Sequence, residues 1–455
     1  MGSEFIAQNG SRTKQERCMS NLEKSKDGYK HTPIGWIPED WEISVLERIL
    51  NKTQYGLSIP NHPEGNVPII GMSNIKDGIL TIEKISKVRI DHETTKAYSI
   101  KKNDLLFNRT NSEELVGKTT IANENLNYVF ASYLIRFQIK DGVIPKFIYY
   151  YFNNPNTVAK IRSFATPGVS QWNINPTALR KHLYIPLPPL PEQKKIAEIL
   201  STWDKAIEQT KNLIEAKKKL KKGLMQKLLT GRMRFPEFGK PAKIGKLPEG
   251  WHRLRIGDLL KKIERPVIFD DNHQYPLISV KRRSSGLTHR ETLTGSEILV
   301  KDLYITEEDD FLISKMQVVH GALGIVTKNF TSMYISGSYI TLVAKDKEHF
   351  NIKFFDFLSR SNYIYHAALI SSYGVSIEKM TFNLRWFLHT PIIIPQSIKE
   401  QNRIVSTLSI LESELNELEK KLSLLQTQKK GLLQKLLTGQ IRVQVDSSKP
   451  KGKKK

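Results

Sequence analysis

The chain states one pattern twice. Lys221-Lys222-Gly223-Leu224-Met225-Gln226-Lys227-Leu228-Leu229-Thr230-Gly231 returns as Lys429 through Gly439 with one difference, Met225 against Leu433, at an offset of 208 residues in a chain of 455. Upstream, Ile34-Gly35-Trp36-Ile37-Pro38-Glu39-Asp40-Trp41 reappears as Ile244-Gly245-Lys246-Leu247-Pro248-Glu249-Gly250-Trp251. The duplicated unit therefore amounts to half the chain, and whatever it folds into must form twice. Length alone exceeds what one hydrophobic core organises. Two similar but unlike halves suit a task that needs two readers held at a fixed separation, and a gapped DNA target is one such task.

Each repeat ends in a helical pattern. From Glu192 to Leu229, apolar residues follow a strict 4,3 spacing at Ile196, Leu200, Trp203, Ile207, Ile214, Leu224 and Leu228, interrupted at Thr210, Lys217 and Lys221. The second copy keeps the phase with Ile404, Leu408, Leu411, Leu415, Leu418, Leu422, Leu425, Leu432 and Leu436, broken only at Lys429. A seam this narrow and long predicts a coiled coil, because a lone helix would leave the stripe in water. Chain order makes the pair antiparallel, since the first helix leads into the second globular segment and the second leads out of it. At 1.5 Å per residue each helix spans roughly 57 Å. Gly231 and Gly439 follow Leu-Leu-Thr as helix stops, while Gly223 and Gly431 lie inside the pattern.

The segments before the helices predict mixed α+β heads. Val67-Pro68-Ile69-Ile70 and Tyr339-Ile340-Thr341-Leu342-Val343 have strand composition, and Asp77-Gly78, Asp141-Gly142 and Ser285-Gly286 are turn signals. Aromatic-rich Phe147 to Phe152 and Phe354 to Tyr365 are expected as helices packed on those strands. Pro186 to Pro191 and Pro395 stiffen the exit from each head.

A formal charge of +24 attracts polyanions, so nucleic acid is the natural partner. The lysine-rich stretches 217–222 and 449–455 supply much of that excess. The single cysteine, Cys18, excludes an internal disulfide or a thiolate zinc cluster and suits a reducing, cytoplasmic compartment. No run approaches the ~18 apolar residues of a membrane helix. Met1 to Phe5 resembles a cloning scar and Met19 is read as the native start, which removes the first residues from the fold argument.

No catalytic constellation stands out. A methyltransferase acting on exocyclic amines needs an Asn/Asp-Pro-Pro-aromatic motif and a glycine-rich cofactor loop. Asn153-Asn154-Pro155 and Asn173-Ile174-Asn175-Pro176 come nearest and lack the second proline and the aromatic. Gly117-Lys118-Thr119 looks like the end of a phosphate loop, but Ser112 stands where its first glycine belongs and no amphipathic helix follows, so a hairpin turn is expected. The eleven histidines are scattered without ligand spacing, which predicts no metal site.

Base readout needs paired donors and acceptors on loops that reach a groove, with cations nearby for phosphates. Asn108-Arg109-Thr110-Asn111, following Leu105-Leu106-Phe107, meets that need in the first head. Its counterpart in the second head is Ser314-Lys315-Met316-Gln317, after Phe311-Leu312-Ile313. A second candidate pair is Gly168-Val169-Ser170-Gln171-Trp172-Asn173 and Tyr373-Gly374-Val375-Ser376, where glycine permits close backbone approach. Lys281-Arg282-Arg283 is a third cluster, suited to phosphate.

Two heads, each followed by a helix with Glu192-Gln193 or Glu400-Gln401 near its start and Gln-Lys-Leu-Leu-Thr-Gly at its end, resemble the specificity subunit of a type I restriction-modification enzyme. The resemblance covers nearly the whole chain, including the openings at Trp36 to Trp41 and Leu247 to Trp251. It implies an α+β fold of two homologous target recognition domains joined by two long antiparallel coiled-coil helices with pseudo-two-fold symmetry. The expected division is a tag and disordered N-terminus over 1–30, a first recognition domain over 31–190 and a first spacer helix over 191–231. A second domain over 232–395, a second spacer helix over 396–439 and a basic disordered tail over 440–455 complete it. The resemblance further implies double-stranded DNA as target, two modification (methyltransferase) subunits and restriction (helicase-nuclease) subunits as partners, and no membrane. S-adenosylmethionine, ATP and Mg would serve those partners, leaving this chain without catalysis or cofactor. A basic coiled-coil scaffold or RNA-binding adaptor is the alternative; a fused modification-specificity enzyme is disfavoured by the missing motif.

Overall fold

The computed structural model describes residues 27–169, 171–241, 245–374 and 380–445. The chain forms two compact units, one running up to Thr210 and resuming at Lys421, the other extending from Lys211 to Lys420. Each contains one head, the end of one long helix and the start of the other. The long helices are Leu190–Leu228 and Ile398–Leu437.

The heads are built alike. In the first, an antiparallel sheet runs in the order Thr119–Ile121, Leu105–Asn108, Leu134–Ile139, Leu50–Tyr55. In the second, Leu323–Ile325, Phe311–Ser314, Tyr339–Ala344 and Leu260–Ile263 repeat that order. Alternation is weak because the central strands are buried on both faces: Leu105, Leu106 and Phe107 are all fully buried, as are Phe311, Leu312 and Ile313. The aromatic segments are helices, Pro145–Phe152, Ile352–Ser359 and Asn362–Ile370. Phe152 lies edge-on to Phe107 at 6.1 Å, and Phe355 to Phe311 at 5.0 Å.

Both Asn-Pro sequences that approach a methyltransferase motif are helix starts. Asn154 accepts from the Asn156 N–H at 3.0 Å and Asn175 from the Thr177 N–H at 2.9 Å, each with proline at the next position. Proline has no N–H to leave orphaned there, and asparagine satisfies one that would be. Gly117-Lys118-Thr119 lies in the connection between two antiparallel strands, with Gly117 at φ +84° and its N–H on the Asn108 carbonyl at 2.8 Å.

Within each unit the helix segments run antiparallel. In the second, Lys217 meets Glu414 at 2.6 Å and, one turn on, Lys221 meets Glu412, so residue numbers rise on one helix as they fall on the other; Lys218 reaches Glu419 at 3.0 Å. In the first, Ile196 and Leu200 share a core with Leu433, Leu436 and Leu437, while Lys429 pairs with Asp204. The lysines that break the apolar seam thus place their ammonium groups on carboxylates of the facing helix. Such half-exposed pairs each contribute ~0–1 kcal/mol, so their effect is on register more than on stability.

The repeated motifs meet in a lock built once in each unit. In the second, buried Glu400 accepts from Trp251 Nε1 at 3.2 Å and from Arg234 Nε and Nη2, both at 2.8 Å. In the first, buried Glu192 accepts from Trp41 Nε1 at 3.1 Å and from Arg442 Nε and Nη2, both at 2.9 Å. The glutamines beside them bind backbone: Gln193 Oε1 accepts from Ile144 N and Gln401 Oε1 from Asn351 N, both at 2.9 Å. Gly439, closing the second helix, packs under Pro38 and Trp41, and Gly231 under Pro248 and Trp251. Within the segment expected as the 440–455 tail, residues 440–445 are described, and Arg442 also grips Asp40 at 2.7 Å.

Candidate nucleic-acid interface

In the first head, two clusters some 60 positions apart in sequence become neighbouring strands. Thr110–Asn111 pairs antiparallel with Trp172–Ile174, setting Thr110 opposite Asn173 and Asn111 opposite Trp172, and Ala165–Pro167 adds the third strand. The Thr110 hydroxyl donates to Asn173 Oδ1 at 2.9 Å. Arg109 is half-buried and held on three sides. Its Nε donates to the Ser132 carbonyl at 3.2 Å, its Nη1 donates to Asn173 Oδ1 at 3.2 Å, and its guanidinium lies 5.5 Å from the centre of the Tyr55 ring. Trp172 packs against the head's core, and Gln171 is half-buried beside it. Gly168 serves its own turn: a Cβ there would stand 2.7 Å from the Gln171 carbonyl oxygen, so the close backbone approach expected of it is made to the chain itself. Ser170 lies outside the described residues.

In the second head, Lys315 stands where Arg109 stands in the first. Its N–H donates to the Ser338 carbonyl at 3.0 Å, as that of Arg109 does to Tyr133 at 3.0 Å, and its Nζ donates to the Gly337 carbonyl at 2.6 Å. Gln317 is half-buried, and its Oε1 accepts no hydrogen bond among the described residues. Lys281, Arg282 and Arg283 are exposed on the turn between strands Gln274–Val280 and Leu287–Thr294. That turn sits against the segment following Gln317, through Arg283 N to the His320 carbonyl at 2.8 Å and Ser284 N to the Gly321 carbonyl at 2.7 Å. Arg283 and Ser284 hold φ at +60° and +47°, a left-handed pair that L side chains adopt at a cost of ~1–2 kcal/mol each. Ser376 lies outside the described residues.

Two of the candidate residues, expected on exposed loops, are buried instead. Asn108 is 1% exposed and Ser314 6%, because each is the last residue of a central strand and faces the interior. Asn108 Oδ1 accepts no hydrogen bond among the described residues. Partial exposure begins one residue later, at Arg109 and Lys315. Tyr55 was missed by sequence reasoning: it ends an edge strand far upstream and carries no local signal beyond an exposed aromatic, 49% accessible.

Among the described residues, no three His, Cys, Asp or Glu side chains group as a metal ion would need, and no helix is long and apolar enough to cross a membrane.

Tandem heads of one sheet order, each locked to antiparallel helices by a repeated Trp-Glu-Arg cluster, define a duplicated two-head architecture. The chain belongs to the family whose model is described as "Type I restriction modification DNA specificity domain", which matches it twice, over 38–217 and 248–425. It is a specificity subunit of the type I restriction-modification class. Among its relatives is the "Putative type I restriction enzyme MjaX specificity subunit" of Methanocaldococcus jannaschii, 28% identical over 92% of this chain and 97% of that protein. The MjaVIII specificity subunit of the same organism is 24% identical over 90% of this chain and 94% of its own length. In fold, the chain is similar to the S subunit of a type I restriction-modification system from M. genitalium, with a TM-score of 0.58 and 18% identity, covering 91% of this chain and 98% of that one.

Proposed function

We propose that this chain reads the two halves of a gapped, asymmetric DNA target, one with each head, and that its helices dock two modification subunits and the restriction subunits. The carrying observation is that the two heads share one sheet order yet set different side chains at the same strand end, Arg109-Thr110-Asn111 in one and Lys315-Met316-Gln317 in the other. Identical scaffolds with unlike contact residues suit unlike half-sites. On this reading Lys281, Arg282 and Arg283 hold phosphates, and Arg109, Thr110, Asn111, Gln171, Trp172, Lys315 and Gln317 face base edges; Ser170 and Ser376 remain candidates by sequence. S-adenosylmethionine, ATP and Mg belong to the partner subunits, and the assembly works in the cytoplasm. A groove of about 1280 Å3 in the second unit offers a partner an apolar floor of Leu229, Tyr363 and Ile392 beside Lys222, Lys246 and Arg253.

Helix length would then set the gap. Deleting one heptad from each long helix is expected to shorten the spacing between half-sites and leave both half-sites unchanged, read by sequencing methylated sites in a strain carrying the altered subunit. Altered half-sites at the old spacing would reject the reading. Binding to random and selected duplexes across a salt series separates it from a basic scaffold or RNA adaptor, which would show no specificity ratio at any salt.

A further inference from the structure

We propose that Arg109 reads a guanine in the first half-site, with Asn173 and Tyr55 as positioning residues; the proposal rests on the reading of the heads as DNA readers. Of the five N–H donors of this guanidinium, Nε is committed to the Ser132 carbonyl and one on Nη1 to Asn173 Oδ1. The remaining N–H groups on Nη1 and Nη2 meet no acceptor among the described residues. Two parallel donors on one edge match the adjacent O6 and N7 acceptors of guanine in the major groove. Adenine presents a donor at one of those positions, cytosine presents a donor, and thymine a lone acceptor with a methyl group. The match is specific because the guanidinium is not free to turn: a carbonyl holds its inner end, an amide one side, and the Tyr55 ring lies 5.5 Å from it. Its neighbours Thr110, Asn111, Gln171 and Asn173 carry the neutral donors and acceptors of base-edge contact, whereas the exposed cations for phosphate stand elsewhere, as on Lys281 to Arg283 of the second head.

The second head supports a reading position over an accident of one hairpin. Lys315 follows the equivalent strand and is tethered to the equivalent carbonyl, Gly337, at 2.6 Å. The scaffold thus places a cation at this point twice and varies its donor geometry between planar fork and single ammonium.

The test uses the full chain and a pool of DNA duplexes with randomised bases, selected by binding and sequenced. Wild-type protein is expected to enrich a two-part motif with guanine at one position that Arg109→Lys and Arg109→Ala relax by on the order of 10- to 100-fold. Every other position, including the second half-site, should stay as it was. Arg109→Lys guards against a folding defect, because a tethered lysine already occupies the equivalent place in the second head. Asn173→Ala is expected to blur preference at that same position by several-fold with total binding nearly retained, which loss of a purely structural contact would not produce. Retention of the full motif by both Arg109 variants, or uniform weakening with base preference unchanged, overturns the assignment and leaves the heads as DNA readers. Failure of wild-type protein to enrich any motif overturns the underlying reading, and this proposal with it.

Discussion

Arg234 and Arg442 do the same job in different amounts of water. The Arg234 side chain is 3% exposed against a Glu400 that is 2% exposed, whereas Arg442 is 44% exposed over an equally buried Glu192. Removing one partner of a buried pair strands the other charge, so Arg234→Ala is expected to destabilise the second unit by about 3–5 kcal/mol in urea denaturation. Arg442→Ala should do less to the first unit, because water reaches Glu192 through the vacated space. Equal losses would show that solvent access does not set the difference. The first lock has one extra member, Asp40, where the second has Gly250. Its hydrogen bond to Arg442 holds the Asp40 carboxyl below its ordinary value of 3.8. An acid whose folded pKa is depressed contributes stability above its unfolded pKa and loses it as pH falls through the folded one. Melting as pH falls from about 5 to about 2 should therefore be less steeply pH-dependent in Asp40→Asn than in wild type, with little difference in slope above about pH 5.

Glycines that look alike along the long helices have opposite roles as parts of an element. Gly223 and Gly431 lie inside helices, and a Cβ on either would meet nothing within 4 Å. Gly223→Ala and Gly431→Ala are expected to stabilise by about 0.4–1 kcal/mol each, by restricting the unfolded chain and improving helix propensity. Gly231 and Gly439 hold φ at +66° and +69°, and their Cβ atoms would stand 2.3 Å from Pro248 and 2.4 Å from Pro38. Alanine there should cost more than the ~1–2 kcal/mol of a left-handed residue alone, since the lock must also open. Urea midpoints at constant m-value check both directions. These helix stops were legible in sequence as Leu-Leu-Thr-Gly, as were the seam and the aromatic helices, because period and turn chemistry are local. What was illegible was the reason the motifs repeat. Glu192 and Arg442 are 250 positions apart, and Trp41 and Glu192 are 151 apart. No periodicity carries such a pairing. The candidate strand ends were half legible for the same reason: the strands before them were read from composition, but Asn108 was placed on the surface because strand polarity does not say which end residue turns inward. Tyr55 and Asn173 reach Arg109 only through the sheet.

At the scale of the molecule, the last described residues complete the first unit. Tyr29 Oη donates to the Gly439 carbonyl at 2.9 Å, and Arg442 reaches both Asp40 and Glu192, so the two ends of the described chain close on the same head. The second unit needs neither end, because its own lock takes Arg234 from the segment after the first long helix. A chain ending after Leu437 should therefore lose stability selectively: it forfeits the Arg442 pairs and, in addition, the Tyr29 to Gly439 hydrogen bond and the packing of Gly439 under Pro38 and Trp41. The loss is expected to exceed that of Arg442→Ala in the first unit and to be near zero in the second. Hydrogen exchange read by mass spectrometry resolves the two: amides of Trp36 to Leu50 and of Tyr149 to Leu200 should lose protection, while those of Trp251 to Phe387 keep it. A chain ending after Val445 retains Gly439 and Arg442 and removes only lysine-rich sequence, so its protection should match the full chain throughout. If both truncations behave alike, or if the shorter one loosens both units equally, the closing role of Gly439 to Arg442 is wrong, and the stability of the first head must come from its sheet core alone.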